Sequence, residues 1–418
     1  GGKLMQKEFF IKKREQLFER LADDSVAILF SSNAPLKTAD EHYAFTPNRN
    51  FYYLTGLDRE NFILVMKKKQ GTASSSIYIE KHDPVLAKWV GDRMLADEVQ
   101  SISGISDIRY VDDINKDIGS LLGGYDFENV YFDFEYRGWD RTCNEQRAFA
   151  NELKSRFPSV SLRNLYHIVS SMRLIKEPEE IEKIRQAISI TQKGILNILA
   201  NIRPGIMEYE LEAYFDFTLK SCGVKDFAFK TIAASGKNAT VLHYSQNNSM
   251  MNENDLILFD LGAQFEYYNA DISRTFPING KYSQRQKDVY DAVLQAQQAV
   301  TQAAKPGVPF SVLNDTAKKV LAEGCRKLGL IKEDSELSEY YYHGVSHYLG
   351  LDTHDVGTRD TVLKEGMVIT NEPGLYIACE GIGIRIEDDL LISHDGAEVL
   401  SKDIIKDTFD VEAYIKNR

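Results

Sequence analysis

At 418 residues the chain is too long for one ordinary hydrophobic core and is expected to form two domains. Its 43% hydrophobic and 27% charged residues exclude a disordered protein. A formal charge of -12, from 62 acidic and 50 basic residues, argues against a nucleic-acid or membrane partner, either of which favours a basic surface.

The first domain alternates helix and strand signals. Residues 7–21 repeat apolar positions at helical spacing (Phe10, Ile11, Leu17, Phe18, Leu21) among many charges, the mark of an amphipathic surface helix. Strand signals follow at 26–30, 51–55, 62–66 and 76–79, then a helical patch after Asp92 and strands around 108–111 and 130–133. This is the pattern of an α/β domain over residues 1–170. Residues 1–4 ahead of Met5 read as an expression remnant, and no secretory pattern follows. Cys143, Cys222, Cys325 and Cys379 lack CxxC spacing and fit reduced thiols, so a cytoplasmic protein is expected.

In the second domain, 171–418, Pro178 with Glu179, Glu180 and Glu182 starts a helix, since proline suits the first turn and acids favour the positive end of the dipole. It runs to about Ala200, where Pro204 and Gly205 break it, and a second helix over 209–221 stops at Gly223. Strands come next, then helices over 284–304 and 311–328, then strands again. The order helix, helix, strands, repeated, predicts an α+β domain with an internal echo of arrangement.

Each echo carries a pair of acids. Asp260 follows the apolar run LILF and Asp271 precedes the strand-like run 272–276. A reversal at Phe265 and Glu266 would set the two aspartates directly opposite each other, with Cβ atoms about 5 Å apart, where like charges are destabilising unless something offsets them. Phe-Glu is a poor two-residue turn, so a longer loop is an open alternative. Near the C-terminus, strand-like runs at 367–377 and 382–392 flank a turn at Cys379 and Glu380, which sets Glu372 opposite Glu387.

Between the pairs lies HGVSHYLGLDTHDVG, with His343, His347 and His354. Four-residue spacing would put the first two on one helical face, but Gly344 leaves a helix start or a loop equally open. With one neutral imidazole completing the set, two divalent cations would balance the four carboxylates and still hold a bridging hydroxide. Such oxygen-rich ligation suits manganese and admits cobalt, iron or zinc. Two ions at close range acidify water and polarise a carbonyl, which is the chemistry of hydrolysis. One histidine would bind metal and the others could hydrogen-bond a scissile carbonyl. Any single acid among 62 is more often solvated surface. What singles these out is an apolar setting that buries charge only when it is paired or coordinated. Arg385 is the alternative partner, able to neutralise Glu372 or Glu387 without metal, although one arginine does not balance four acids. Gly236-Lys237 lacks the remainder of a P-loop, and neither GxSxG nor HExxH occurs.

The segments TVLHYSQNN, ILFDLGAQFEYYNADISRTFPINGKYS, HGVSHYLGLDTHDVG, MVITNEPGLYI and GIGIRIEDDLLI resemble, in order, the metallopeptidase family of aminopeptidase P, prolidase and methionine aminopeptidase. FYYLTGLDREN and MRLIKEPEEIEKIRQA point within it to aminopeptidase P. The resemblance implies an α/β N-terminal domain and an α+β pita-bread catalytic domain holding two divalent ions, usually Mn2+. It implies the ligands Asp260, Asp271, His347, Glu372 and Glu387, with Glu372 also taking the proton of the attacking water. His243, His343 and His354 would position substrate and stabilise the intermediate, and Arg385 would organise the acids. The implied reaction releases an N-terminal residue from peptides with proline second, in a homodimer or homotetramer where Trp89 resembles a position reaching a neighbouring site. The rivals are a Xaa-Pro dipeptidase with the same ions and a metal-free, noncatalytic scaffold of the same fold.

Overall fold

The computed structural model describes residues 5–136, 138 and 144–417, so Cys143 lies outside the described residues. The chain divides into two compact units, Gly1–Arg173 and Leu174–Arg418. Among the described residues no helix is long and apolar enough to cross a membrane.

The first unit is built on a six-stranded sheet. Ser25–Phe30 lies at its middle, antiparallel to Ile63–Lys69 on one side and parallel to Asn129–Phe132 on the other. Thr72–Ile79 and Asp107–Tyr110 extend one edge, and Ser161–Asn164 the other. All six residues of the middle strand are buried. Val26, Ile28 and Phe30 pack with Ile114, Ile118 and Leu122 of the helix Ile114–Gly123 and with Ala150 and Leu153 of Glu145–Arg156. The strand expected at 51–55 is instead the helix Arg49–Thr55. Its aromatic run favours a strand, but capping decides the outcome. The Asn48 side chain accepts the Phe51 N–H, and Gly56 closes the helix at a φ of 71°.

The second unit consists of two similar halves. In the first, Pro178–Asn201 packs on Glu208–Ser221, followed by a three-stranded antiparallel sheet of Ile232–Ser235, Leu256–Leu261 and Ile272–Pro277. In the second, Gln284–Ala303 packs on Ser311–Lys327, ahead of a sheet of Val368–Asn371, Asp388–Ile392 and Ala397–Val399. Both helix pairs cross closely at a glycine. A Cβ on Gly194 would lie 2.3 Å from Phe215, and one on Gly324 would lie 2.8 Å from Ala292. Each sheet carries a two-stranded ribbon between its paired strands, Gln264–Phe265 with Tyr268–Asn269, and Gly374–Ile377 with Ile382–Arg385. The echo is inexact, because the third strand precedes the hairpin in the first half and follows it in the second.

Candidate metal centre

The first acid hairpin turns one residue later than expected. Glu266 and Tyr267 occupy the reversal, both with positive φ (48° and 68°), and Gln264 pairs with Asn269. Positive φ at both central residues gives a hairpin loop the twist its strands require. The cost for two non-glycine residues is offset by neighbours on the helix Pro178–Asn201. Lys183 Nζ lies 2.9 Å from Glu266, and the Tyr268 hydroxyl donates to Glu180 at 3.1 Å. The later turn sets Asp260 opposite Ser273 and not Asp271. A register change of two residues preserves which face each side chain occupies, so Asp260 and Asp271 still share a face, as diagonal neighbours.

The second hairpin keeps the expected register on both sides of its acids, with Asn371 opposite Asp388 and Gly374 opposite Arg385. Between those pairs the ladder opens, so the expected continuous strands are each split in two. Pro373 has no N–H to give, and the acids' own amides bond elsewhere. The Glu372 N–H bonds Val345 O at 2.9 Å, and the Glu387 N–H bonds Ser273 O at 3.0 Å. Thr370 N–H in turn bonds His347 O at 2.9 Å, and the His347 N–H bonds Thr370 Oγ1 at 3.1 Å. Opening the ladder thus ties the second hairpin to both the histidine segment and the first hairpin. His343 and His347 lie in irregular backbone, so the loop alternative holds.

These ties bring Asp271, His347 and Glu387 together, with one ligand atom from each within 4.8 Å of the others. His347 Nε2 is 3.3 Å from Asp271 Oδ2 and 3.6 Å from Glu372 Oε1. Its Nδ1 lies 3.0 Å from Tyr348 O. A carbonyl only accepts, so Nδ1 carries the proton and the Nε2 lone pair faces the acids, the tautomer a metal ligand needs. Asp260 Oδ2 accepts from Arg385 at 2.6 Å, while its buried Oδ1 has no hydrogen-bond partner. Arg385 therefore pairs with Asp260, and not with Glu372 or Glu387, the partners of the metal-free alternative. It also donates to Ser273 Oγ (2.8 Å) and Tyr376 Oη (3.0 Å). The Ser273 hydroxyl in turn donates a hydrogen bond to Glu387 Oε2 at 2.7 Å.

Burial, reinforced by the neighbouring acids, pushes Asp271 and Glu387 well above the usual carboxylate range. Burial also raises Glu372, against the lowering effect of His347 and Arg385. One guanidinium beside the carboxyl groups of Asp260, Asp271, Glu372 and Glu387 is one cation against four acids, an imbalance that divalent cations would offset. This donor set fits them, with three converging ligand atoms, an imidazole in the right tautomer and an unpartnered carboxylate oxygen.

The accessory histidines surround the acids. Gly344 O only accepts, so His343 Nδ1–H bonds it at 2.8 Å, and on a neutral ring the bare Nε2 accepts from the Tyr376 hydroxyl at 2.8 Å, while Tyr376 Oη accepts from Arg385. His343 is neutral because burial lowers its pKa to about 4. The His354 ring meets His347 edge to face at 4.4 Å, and burial lowers its pKa as well. His243 is exposed and lies near both His343 and His354.

Sequence reasoning missed Ser273, Tyr376 and Asp389. Asp389 accepts the Asp271 N–H at 3.2 Å. The clue was period two, because Ser273 stands two residues from Asp271 and Asp389 two from Glu387, which puts each on the acid-bearing face. Tyr376, by contrast, gave no signal in the residues around it.

The model of metallopeptidase family M24 matches residues 182–394, and that of the aminopeptidase P N-terminal domain matches residues 10–131. The chain is 33% identical to the Xaa-Pro aminopeptidase of Escherichia coli, with 98% of each chain covered. Its structure superposes on a Bacillus anthracis protein described as an aminopeptidase P with a TM-score of 0.98 and 52% identity, over 99% of each chain. It also superposes on E. coli aminopeptidase P with the inhibitor Pro-Leu, at a TM-score of 0.91 and 32% identity over 99% of each chain.

Proposed function

Since the chain belongs to metallopeptidase family M24 and joins an aminopeptidase P N-terminal domain to a pita-bread catalytic domain, we propose that it is a dinuclear-metal Xaa-Pro aminopeptidase. It would release the N-terminal residue of peptides whose second residue is proline. The observation that carries this reading is the meeting of Asp271, His347 and Glu387, with Glu372 and Asp260 beside them, in one buried cluster.

Asp260, Asp271, His347, Glu372 and Glu387 would hold two divalent ions, with manganese favoured by so oxygen-rich a set and cobalt, iron or zinc admitted. Ions bound there would acidify water and polarise the scissile carbonyl. Glu372 accepts the proton of the attacking water and returns it to the leaving nitrogen. His243 and His354 face substrate on the open side and hydrogen-bond the carbonyl, and neutral His343 holds the position that Tyr376 fixes. Arg385 holds Asp260 in its orientation through a direct hydrogen bond. Proline in second position removes the amide hydrogen that strand-binding proteases rely on, which makes a dedicated site useful. We further propose a cytoplasmic homodimer or homotetramer. The 85% exposure of Trp89, beside exposed Val85 and Val90, supports a subunit contact there.

The test is a peptide-length series of Xaa-Pro dipeptides, tripeptides and longer chains, run with Mn2+ and then with chelator. Tripeptides and longer peptides should be cleaved, with activity lost on chelation and restored by Mn2+. Cleavage of dipeptides alone would favour a dipeptidase, and cleavage that survives chelation would overturn the metal mechanism.

A further inference from the structure

Glu208, at the start of the helix Glu208–Ser221, is fully buried although it carries a carboxylate. Such burial is tolerable only when the oxygens are fully hydrogen-bonded. Oε1 accepts from the Ser235 N–H (2.7 Å), the Ser235 hydroxyl (2.6 Å) and the Asn238 amide (3.1 Å). Oε2 accepts from the Tyr244 hydroxyl (2.8 Å) and the Ser249 N–H (2.9 Å). All five donors belong to one stretch, 235–249, which leaves the strand Ile232–Ser235, carries the exposed His243 near His343 and His354, and returns. Asn238 closes the stretch on itself through Ser249 Oγ at 2.9 Å, and the Tyr342 hydroxyl holds it at Thr240 O at 2.7 Å. The carboxylate thus grips both ends of the loop and the residue that follows His243.

We propose that Glu208 is a positioning residue for His243, fixing the loop so that the imidazole meets the substrate. The proposal rests on the reading of His243 as substrate-facing. A fold-stabilising carboxylate would have no reason to act through His243, and that difference is measurable. Glu208→Gln leaves one oxygen and presents an NH2 group to donors, so at least one face of the grip is lost while volume is kept.

The experiment is a cycle of Glu208→Gln, His243→Ala and the double variant, read by kcat and KM on a Xaa-Pro tripeptide together with metal content and Tm. Glu208→Gln should keep wild-type metal content and lower kcat/KM about tenfold, the scale of a misplaced substrate contact. The double variant should be no slower than His243→Ala alone. Multiplying effects, or a fall in Tm with unchanged kinetics, would overturn the positioning role. A fully active His243→Ala would instead overturn the reading of His243, and the inference with it. Should Glu208→Gln not fold, Tyr244→Phe removes one donor from the same carboxylate and must show the same dependence on His243.

Discussion

Three consecutive acids, Glu387, Asp388 and Asp389, have three different fates, and strand alternation separates them. Asp388 points away from the centre, to Arg274 at 2.7 Å, Ser401 at 2.8 Å, Lys406 and Gln297. Burial alone would raise it, but Arg274 and Lys406 outweigh burial and hold its pKa at about 2. Glu387 and Asp389 face the other way, one toward Asp271 and His347 and one onto the Asp271 backbone. The residues supporting the proposed ligands should therefore matter nearly as much as those ligands themselves. Ser273→Ala removes the hydroxyl that bridges Arg385 and Glu387. It should weaken metal binding about 10- to 100-fold, as measured by chelator competition. Unchanged affinity would reduce Ser273 to packing. Glu387→Gln should abolish peptidase activity and lower bound metal while the fold is kept, which atomic emission and circular dichroism can check.

At the scale of elements, the centre depends on two hairpins that approach other backbone without room for a side chain. A Cβ on Gly262 would lie 1.8 Å from Ala270 O, inside the first acid hairpin. Gly262→Ala should prise Asp260 from Asp271 and cost roughly 1–3 kcal/mol or more, as overpacked sites do, with loss of bound metal. Gly119, in the helix Ile114–Gly123, meets nothing within 4 Å at its Cβ position. Gly119→Ala should be stabilising by about 0.5–1 kcal/mol through helix propensity alone, so denaturant melts of the pair should diverge in sign. Long helices and the register of the second hairpin were legible, since period and turn residues encode them locally. The turn at Glu266 and Tyr267 was not, because it depends on Lys183 and Glu180 of a helix about eighty residues earlier. The helix Arg49–Thr55 escaped for the opposite reason, a local cap outweighing an aromatic run that looked like a strand.

At the scale of the whole molecule, folding without cations forces carboxylates together, and this should appear as a pH dependence. Burial and mutual repulsion raise Asp271, Glu387 and Asp389 well above their ordinary values. An acid that holds its proton more tightly when folded makes the folded state lose stability as pH rises from the ordinary carboxylate value, about 4, toward the raised one. The Tm of chelated protein should therefore fall across that window, and Mn2+ should raise it by more at pH 7.5 than at pH 5. A metal-induced shift that is equal at both values would refute this. What the sequence by itself determined is the two-part division, the repeated order of helices and strands, and the residue types able to bind metal, because periodicity, caps and apolar flanks are properties of neighbours along the chain. Only the tertiary structure decided that Arg385 takes Asp260, that Ser273 and Asp389 support the acids, and that Glu208 grips the His243 loop. Those outcomes depend on which distant groups meet where water is excluded, and there a charge must find its partner in whatever the fold brings to it.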